Sequence, residues 1–239
     1  LRKTLNTTQE RLAQLQRDAA ELGKCTLVIG GKKVGPASHA IVLPDRPTPV
    51  ERYAARELQH HLELVTGQAL PIVAEAKRAK AIGLFVGKCK SVADPTEKLP
   101  PEGLRVRTVG PAMAFTGNGR GVLYAVYSFL EDQIGCRWFT PDCSTGPKSG
   151  RIAIAALDRR YVPPLEYRGG DYPVARPGEF AARVRLNGAF HNIAPEQGGK
   201  VGVHSLAHTF AALCPPEKYF AQHPEYFSLV NGKRQSGYA

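Results

Sequence analysis

Residues 112–141 read AMAFTGNGRGVLYAVYSFLEDQIGCRWFTP: an apolar strand, a glycine-rich turn, an amphipathic helix and a tight turn into a Trp-bearing segment. Strand, glycine turn and helix is the layout of a phosphate-cradling loop, so glycine spacing decides the reading. A dinucleotide fingerprint needs G-x-G-x-x-G/A, whereas Gly117, Gly119 and Gly121 run G-x-G-x-G and Val122 takes the place of the third small residue. A P-loop needs Lys and then Ser or Thr, and here Val122-Leu123 follow. The glycines therefore read as a sharp turn that lets the next helix sit close to its sheet. Val122, Tyr124, Ala125, Phe129 and Leu130 make one broad apolar face, Ile134 extends it, and Gly135 stands at the C-cap.

Working outward, further strands are expected at Thr26–Ile29, Ile41-Val42-Leu43, Leu70–Val73, Ala81–Val86, Leu104–Val109 and Arg151–Ile154. Gly30-Gly31 and Gly110-Pro111 read as hairpin turns. A second helix is expected from Val50 to Val65, with Tyr53/Ala54, Leu58, Leu62 and Val65 inward. Arg52, Arg56, Glu57, His60 and Glu63 are placed on its outer side. The adjacent His60-His61 pair reads as solvent-exposed, because neighbouring helical residues diverge by about 100 degrees. The class is α+β: a mixed sheet with two main helices on one face. Residues 1–22 carry Leu5, Leu12, Leu15, Ala19 and Leu22 at heptad-like spacing, an amphipathic arm suited to packing on the body or to self-association.

Around Asp158 to Pro164 charge and proline accumulate, as in a domain linker. Beyond it, Leu165–Arg168 reads as a strand, Glu179–Leu186 as a helix and Ala189–Ile193 as a strand, with polar residues at the strand ends. That is how a (β/α)8-type barrel begins. A whole barrel takes roughly 200 residues or more, and about 75 remain here, so the expectation is the front portion of a longer protein. The divisions are 1–24 (helical arm), 25–158 (accessory domain) and 165–239 (truncated barrel start).

The formal charge is +11, but Lys and Arg are scattered and no nucleic-acid signature appears. A basic surface also suits an anionic substrate such as an acidic sugar. No run of eighteen apolar residues marks a membrane span. There is no N-terminal basic-then-apolar signal, and the chain begins at Leu1. The five cysteines form no C-x-x-C pair, so no structural zinc site is expected. Cys136 and Cys143 are near enough in sequence to bridge across a turn, or to remain buried thiols.

Several segments resemble the N-terminal accessory domain of bacterial α-glucuronidases, a domain that β-hexosaminidases share in similar form. These are Ala54-Ala55-Arg56-Glu57-Leu58-Gln59, Thr66-Gly67-Gln68-Ala69-Leu70-Pro71-Ile72, Thr116-Gly117 and Arg120-Gly121-Val122-Leu123-Tyr124-Ala125-Val126-Tyr127. A large bacterial family of uncharacterised, glycosidase-like proteins is more similar still. Its pattern is echoed by Phe129-Leu130-Glu131, Gly135-Cys136-Arg137-Trp138, Glu166-Tyr167-Arg168 and Leu186-Asn187-Gly188. It continues through His208-Thr209-Phe210, Pro215-Pro216-Glu217-Lys218-Tyr219-Phe220 and His223-Pro224-Glu225-Tyr226-Phe227. The resemblance covers residues 25–239. It implies a carbohydrate-active enzyme without a cofactor, in a periplasmic or extracellular setting, cleaving glycosidic bonds with paired carboxylates. In the α-glucuronidases those carboxylates lie on later barrel strands. Glu166, Asp171 and Glu196 match no catalytic motif, and no catalytic residue is assigned.

Sugar contacts are expected from Arg168, Asn187, His191, His204 and His208. Arg168 can meet a uronate carboxylate through its fork, or pair with Asp171 or Glu179. The Asn and His side chains suit hydroxyl recognition or structural hydrogen bonds. His204 and His208 stand four apart, but no Glu follows His204 as a zincin requires, so no metal site is assigned. Trp138 reads as sugar platform or as packing.

Overall fold

The computed structural model describes residues 23–94, 97–203 and 209–237. The heptad-like arm at 1–22, His204 and His208 lie outside the described residues. The chain forms two compact units, one reaching Val201 and one from Gly202 onward.

In the first unit β1 (Thr26–Ile29) turns through Gly30 and Gly31, both at positive φ, into β2 (Lys32–Lys33). β3 (His39–Leu43) leads to α1 (Pro49–Thr66). Thr48 and Glu51 start that helix with a capping box: Thr48 Oγ1 accepts from the Glu51 N–H, and the Glu51 carboxylate accepts from the Thr48 N–H at 2.7 Å. Gly67 ends it in the left-handed conformation. β4 (Ile72–Ala74), β5 (Ile82–Val86), β6 (Leu104–Val109) and β7 (Ala112–Gly117) follow. Next comes α2 (Gly121–Phe129), continued by a π turn over Leu130–Ile134 and closed by Gly135. β8 (Arg137–Thr140), β9 (Cys143–Thr145), β10 (Arg151–Ile154) and β11 (Asp158–Tyr161) complete the strands of this unit.

The main sheet has six strands in the order β11-β6-β7-β5-β3-β4. The β4, β3, β5 and β7 neighbours pair in parallel, and β6 pairs antiparallel with both β7 and β11. Alternation along the strands sets the two faces. Ile41, Leu43, Leu84, Val86, Val106 and Phe115 join α1 and α2 in the large core, while Ala40, Val42, Phe85 and Ala114 form a small cluster on the other face with Cys89 and Val92. Both main helices thus pack on one face of a mixed sheet. A smaller sheet, β10-β1-β2, adds Leu27, Ile29 and Ile154 to the same core.

Three expectations change. α2 is buried on every side rather than along one face. The segment expected as a linker begins with β11, whose residues are all exposed and so carry no alternation to read. Arg105 fixes this edge strand through a two-pronged pair with Asp158, at 2.7 and 2.8 Å. Finally, Leu165–Arg168 and Ala189–Ile193 form no strands. Prolines and glycines flank both segments, and the Asn187 and Arg168 side chains satisfy polar groups of the first. The expected helix between them is present as α3 (Gly178–Arg183), and a lone parallel bridge joins Pro177 to Asn192.

In the second unit, two one-turn helices, α4 (Phe210–Leu213) and α5 (Pro216–Tyr219), precede a short hairpin of β12 (Leu229–Val230) and β13 (Lys233–Arg234).

Candidate functional site

The glycine turn that ends β7 builds one wall of a cleft. A Cβ on Gly117 would fall 2.1 Å from the Gly121 carbonyl carbon, and one on Gly121 would fall 2.3 Å from the Gly103 oxygen. Only glycine lets the three backbone segments meet this closely. The turn therefore serves packing, and it sets Arg120 opposite Glu102, a residue held at φ +59° in the turn before β6. Such a conformation is uncommon for a non-glycine residue and is retained where surrounding contacts enforce it.

Glu102 is the hub. One oxygen lies 3.0 Å from Arg120 Nε and accepts from Asn187 Nδ2 at 3.0 Å. The other accepts from Arg168. Arg168 also donates to the Arg185 carbonyl at 2.7 Å and to the Tyr124 hydroxyl at 3.1 Å, with its guanidinium over the Tyr124 ring. Arg185 is again at positive φ and pairs with Glu131 at 2.6 Å. Asn187 is 0% exposed, donating to the Glu166 carbonyl and accepting the Arg168 N–H through its side chain.

The structure thus joins Arg168 and Asn187, two of the expected sugar contacts, but commits both to structural bonds. Arg168 pairs with neither Asp171 nor Glu179; Asp171 is taken by Arg176. His191 is also 0% exposed, and its Nδ1–H donates to the Ala175 carbonyl at 2.7 Å, while Nε2 has no hydrogen-bond partner.

Beside the hub opens a cleft of about 630 Å³ lined by Glu102, Asn118, Arg120, Leu165, Glu166 and prolines 101, 163 and 164. The Arg120 side chain is 9% exposed, and its Nη1 is buried without a hydrogen-bond partner. Glu166 is exposed at the rim. Planar polar groups beside an apolar wall can meet the hydroxyls and the C–H face of a sugar ring. The pairing of Glu102 with Arg120, Arg168 and Asn187 spans up to 85 residues of sequence, and no local spacing announces it.

A second buried network corrects the reading of α1. Glu57 and His61 are buried, not on the outer side; His60 alone of the pair is exposed. Glu57 accepts from Tyr127 at 2.9 Å and from Arg183 at 3.0 and 3.2 Å. Burial would raise its carboxyl, but the Arg183 hydrogen bonds and charge outweigh that and hold it below its ordinary range. His61 Nδ1–H donates to the Glu57 carbonyl at 2.8 Å, and Nε2 accepts from Trp138 Nε1 at 3.1 Å. Burial pushes the His61 pKa down to about 4, against the opposing pull of Glu57. Trp138, edge-on to His61 and Tyr127, is a packing and hydrogen-bonding residue rather than an open platform.

Cys136 and Cys143 are unbridged thiols. The β8–β9 register sets Cys143 opposite Thr140, four residues along from Cys136, too far for a disulfide. Among the described residues no group of three His, Cys, Asp or Glu side chains is placed to hold a metal ion, and no helix is long and apolar enough to cross a membrane.

Residues 138–239 match the model of a domain of unknown function, DUF4838. No curated protein matches the chain. The matched region begins at Trp138 and includes Arg168, Arg183, Asn187 and His191, whereas Glu57, Glu102 and Arg120 lie before it.

Proposed function

We propose that the chain is the N-terminal portion of a carbohydrate-active protein, in which the unit reaching Val201 binds glycan without cleaving it. The observation that supports this reading is the cleft at Glu102 and Arg120, with planar polar groups facing a wall of prolines and Leu165. Its chemistry meets the needs of a pyranose: hydrogen-bonding pairs for adjacent hydroxyls and an apolar surface for the ring. The Arg120 guanidinium in the cleft wall is in keeping with an acidic sugar, as is the resemblance to α-glucuronidase accessory domains.

Glycoside hydrolysis belongs to this proposal for a longer protein, with residues 165 onward leading into a (β/α)8-type barrel. Paired carboxylates flanking a scissile bond are what such chemistry requires. Among the described residues, Glu57 and Glu102 are tied to guanidinium groups, Asp171 is paired with Arg176, and Glu196 is exposed in the one-turn helix Pro195–Gln197. Glu166 shares the cleft with Glu102, whose carboxylate is held between Arg120 and Arg168.

A glycan array of acidic and neutral oligosaccharides, with an aryl α-glucuronide turnover assay on the same sample, tests the reading. Retention of acidic oligosaccharides with no turnover is expected. Turnover by residues 1–239, or no glycan bound, would overturn it. A non-catalytic scaffolding module is the second reading, supported by the saturation of Arg168 and Asn187 with internal bonds.

A further inference from the structure

The crossovers of the main sheet create a second cleft, remote in sequence from the first. From β3 the chain passes through α1 to β4 on one side, then returns to β5 on the other side of β3. All three strands are parallel. The carboxyl ends of β3 and β5 therefore diverge at a topological switch point, where open sheets with helical crossovers leave a ligand crevice. A cleft of about 590 Å³ lies there, lined by Asp45 and Arg46 after β3, Lys88 and Lys90 after β5, Glu51 of α1 and Glu75 after β4, with Pro44 and Thr48.

The three carboxylates are committed to backbone. Asp45 accepts from the Ala76 N–H at 2.9 Å, Glu51 from Thr48 at 2.7 Å and Lys88 at 3.0 Å, and Glu75 from Lys90 at 2.8 Å and Ser91 at 2.6 Å. Gly87 at φ +92° makes this possible, because a Cβ there would fall 2.2 Å from Glu51 Oε1. These bonds hold the loops after β3, β4 and β5 against one another and shape the cleft. Cys89 is buried, its thiol donating to the Val42 carbonyl, while Lys88 and Lys90 on either side of it are exposed and line the cleft. Among the described residues, no carboxylate lies within ion-pair distance of Arg46, Lys88 or Lys90.

We propose that this cleft binds the phosphate group of a small phosphate monoester, held by Arg46, Lys88 and Lys90. A compact dianion with three acceptor oxygens suits several flexible cations around one cleft, whereas a planar carboxylate is better matched by one arginine fork. The volume accommodates a body of hexose size beyond the phosphate. The site is independent of the glycan cleft.

The test is a titration of the full isotope-labelled chain, followed by amide chemical shifts, with glucose 6-phosphate, inorganic phosphate and glucose at millimolar concentration. Glucose 6-phosphate is expected to shift the amides of Lys88, Lys90 and Ser91, inorganic phosphate to do so more weakly, and glucose to leave them unmoved. Removing the three exposed cations by R46A/K88A/K90A is expected to weaken binding more than tenfold. K32A/K33A, which lowers charge on β2, is expected to leave it unchanged. No shift at these amides, equal weakening by K32A/K33A, or equal affinity for the ester and free phosphate would each overturn the proposal.

Discussion

At the residue scale, His61 ties the two halves of the core's polar network together. Its neutral ring donates to the Glu57 carbonyl and accepts from Trp138, so protonation would cost the bond to the indole. The folded pKa is about 4 against 6.5 for the ordinary side chain. As pH falls, the unfolded chain takes up this proton first, so stability is full above pH 6.5 and declines between 6.5 and about 4. The decline attributable to His61 is about 3 kcal/mol. Glu57, with its folded pKa below the ordinary 4.5, contributes stability that is complete above 4.5 and lost as pH falls further. Urea unfolding followed by the single Trp at pH 7, 5.5 and 4.5 is expected to show the loss, and His61→Gln to flatten it. An unchanged slope in that variant would place the titration elsewhere. Removing the charge partner is also costly: Glu57→Gln leaves the half-buried Arg183 beside a neutral amide, for an expected loss of about 2 kcal/mol or more in the same unfolding assay.

At the element scale, the glycine turn of residues 117–121 separates packing from conformation. Gly121→Ala drives a methyl against the Gly103 carbonyl, and the expected cost is several kcal/mol, seen as a large drop in Tm or loss of soluble protein. Gly119→Ala meets open space and carries only the strain of φ +57°, about 1 kcal/mol. Equal effects from the two would contradict the close-approach account. Elements carried by apolar runs or alternation, or by one apolar helical face, were legible in the sequence: β3, β5, β6, β7 and α1 stand close to where their apolar residues set them. β11 was not, because an edge strand exposed on both faces has no hydrophobic pattern to display. Glu57 and His61 were misplaced for a related reason. Charge and polarity argue for solvent, and only the partners Arg183, Tyr127 and Trp138, brought in from distant segments, make burial tolerable. Arg168 and Asn187 were legible singly as polar candidates, but the partner they share, Glu102, was not.

At the scale of the whole molecule, three ionic ties fasten residues 162–201 to the sheet and its helices: Glu57 with Arg183, Glu131 with Arg185, and Glu102 with Arg168 and Asn187. A chain ending at Tyr161 keeps every strand of the main sheet but strands all three carboxylates without those partners. Compared with a chain ending at Val201, it is expected to unfold at much lower urea concentration or to lose cooperative unfolding. Equal stability of the two would show that the ties contribute little.

The Glu102 tie stands beside the Glu102–Arg120 cleft, so the glycan reading rests on it. The most direct measurement is amide mapping of an acidic oligosaccharide on the intact chain and on L165A/E166A, which alters only exposed cleft residues. The account predicts shifts at Asn118, Gly119, Arg120 and Gly198, weakened about tenfold or more in the variant, at unchanged Tm. Shifts absent from these four amides, or undiminished in the variant, would contradict it.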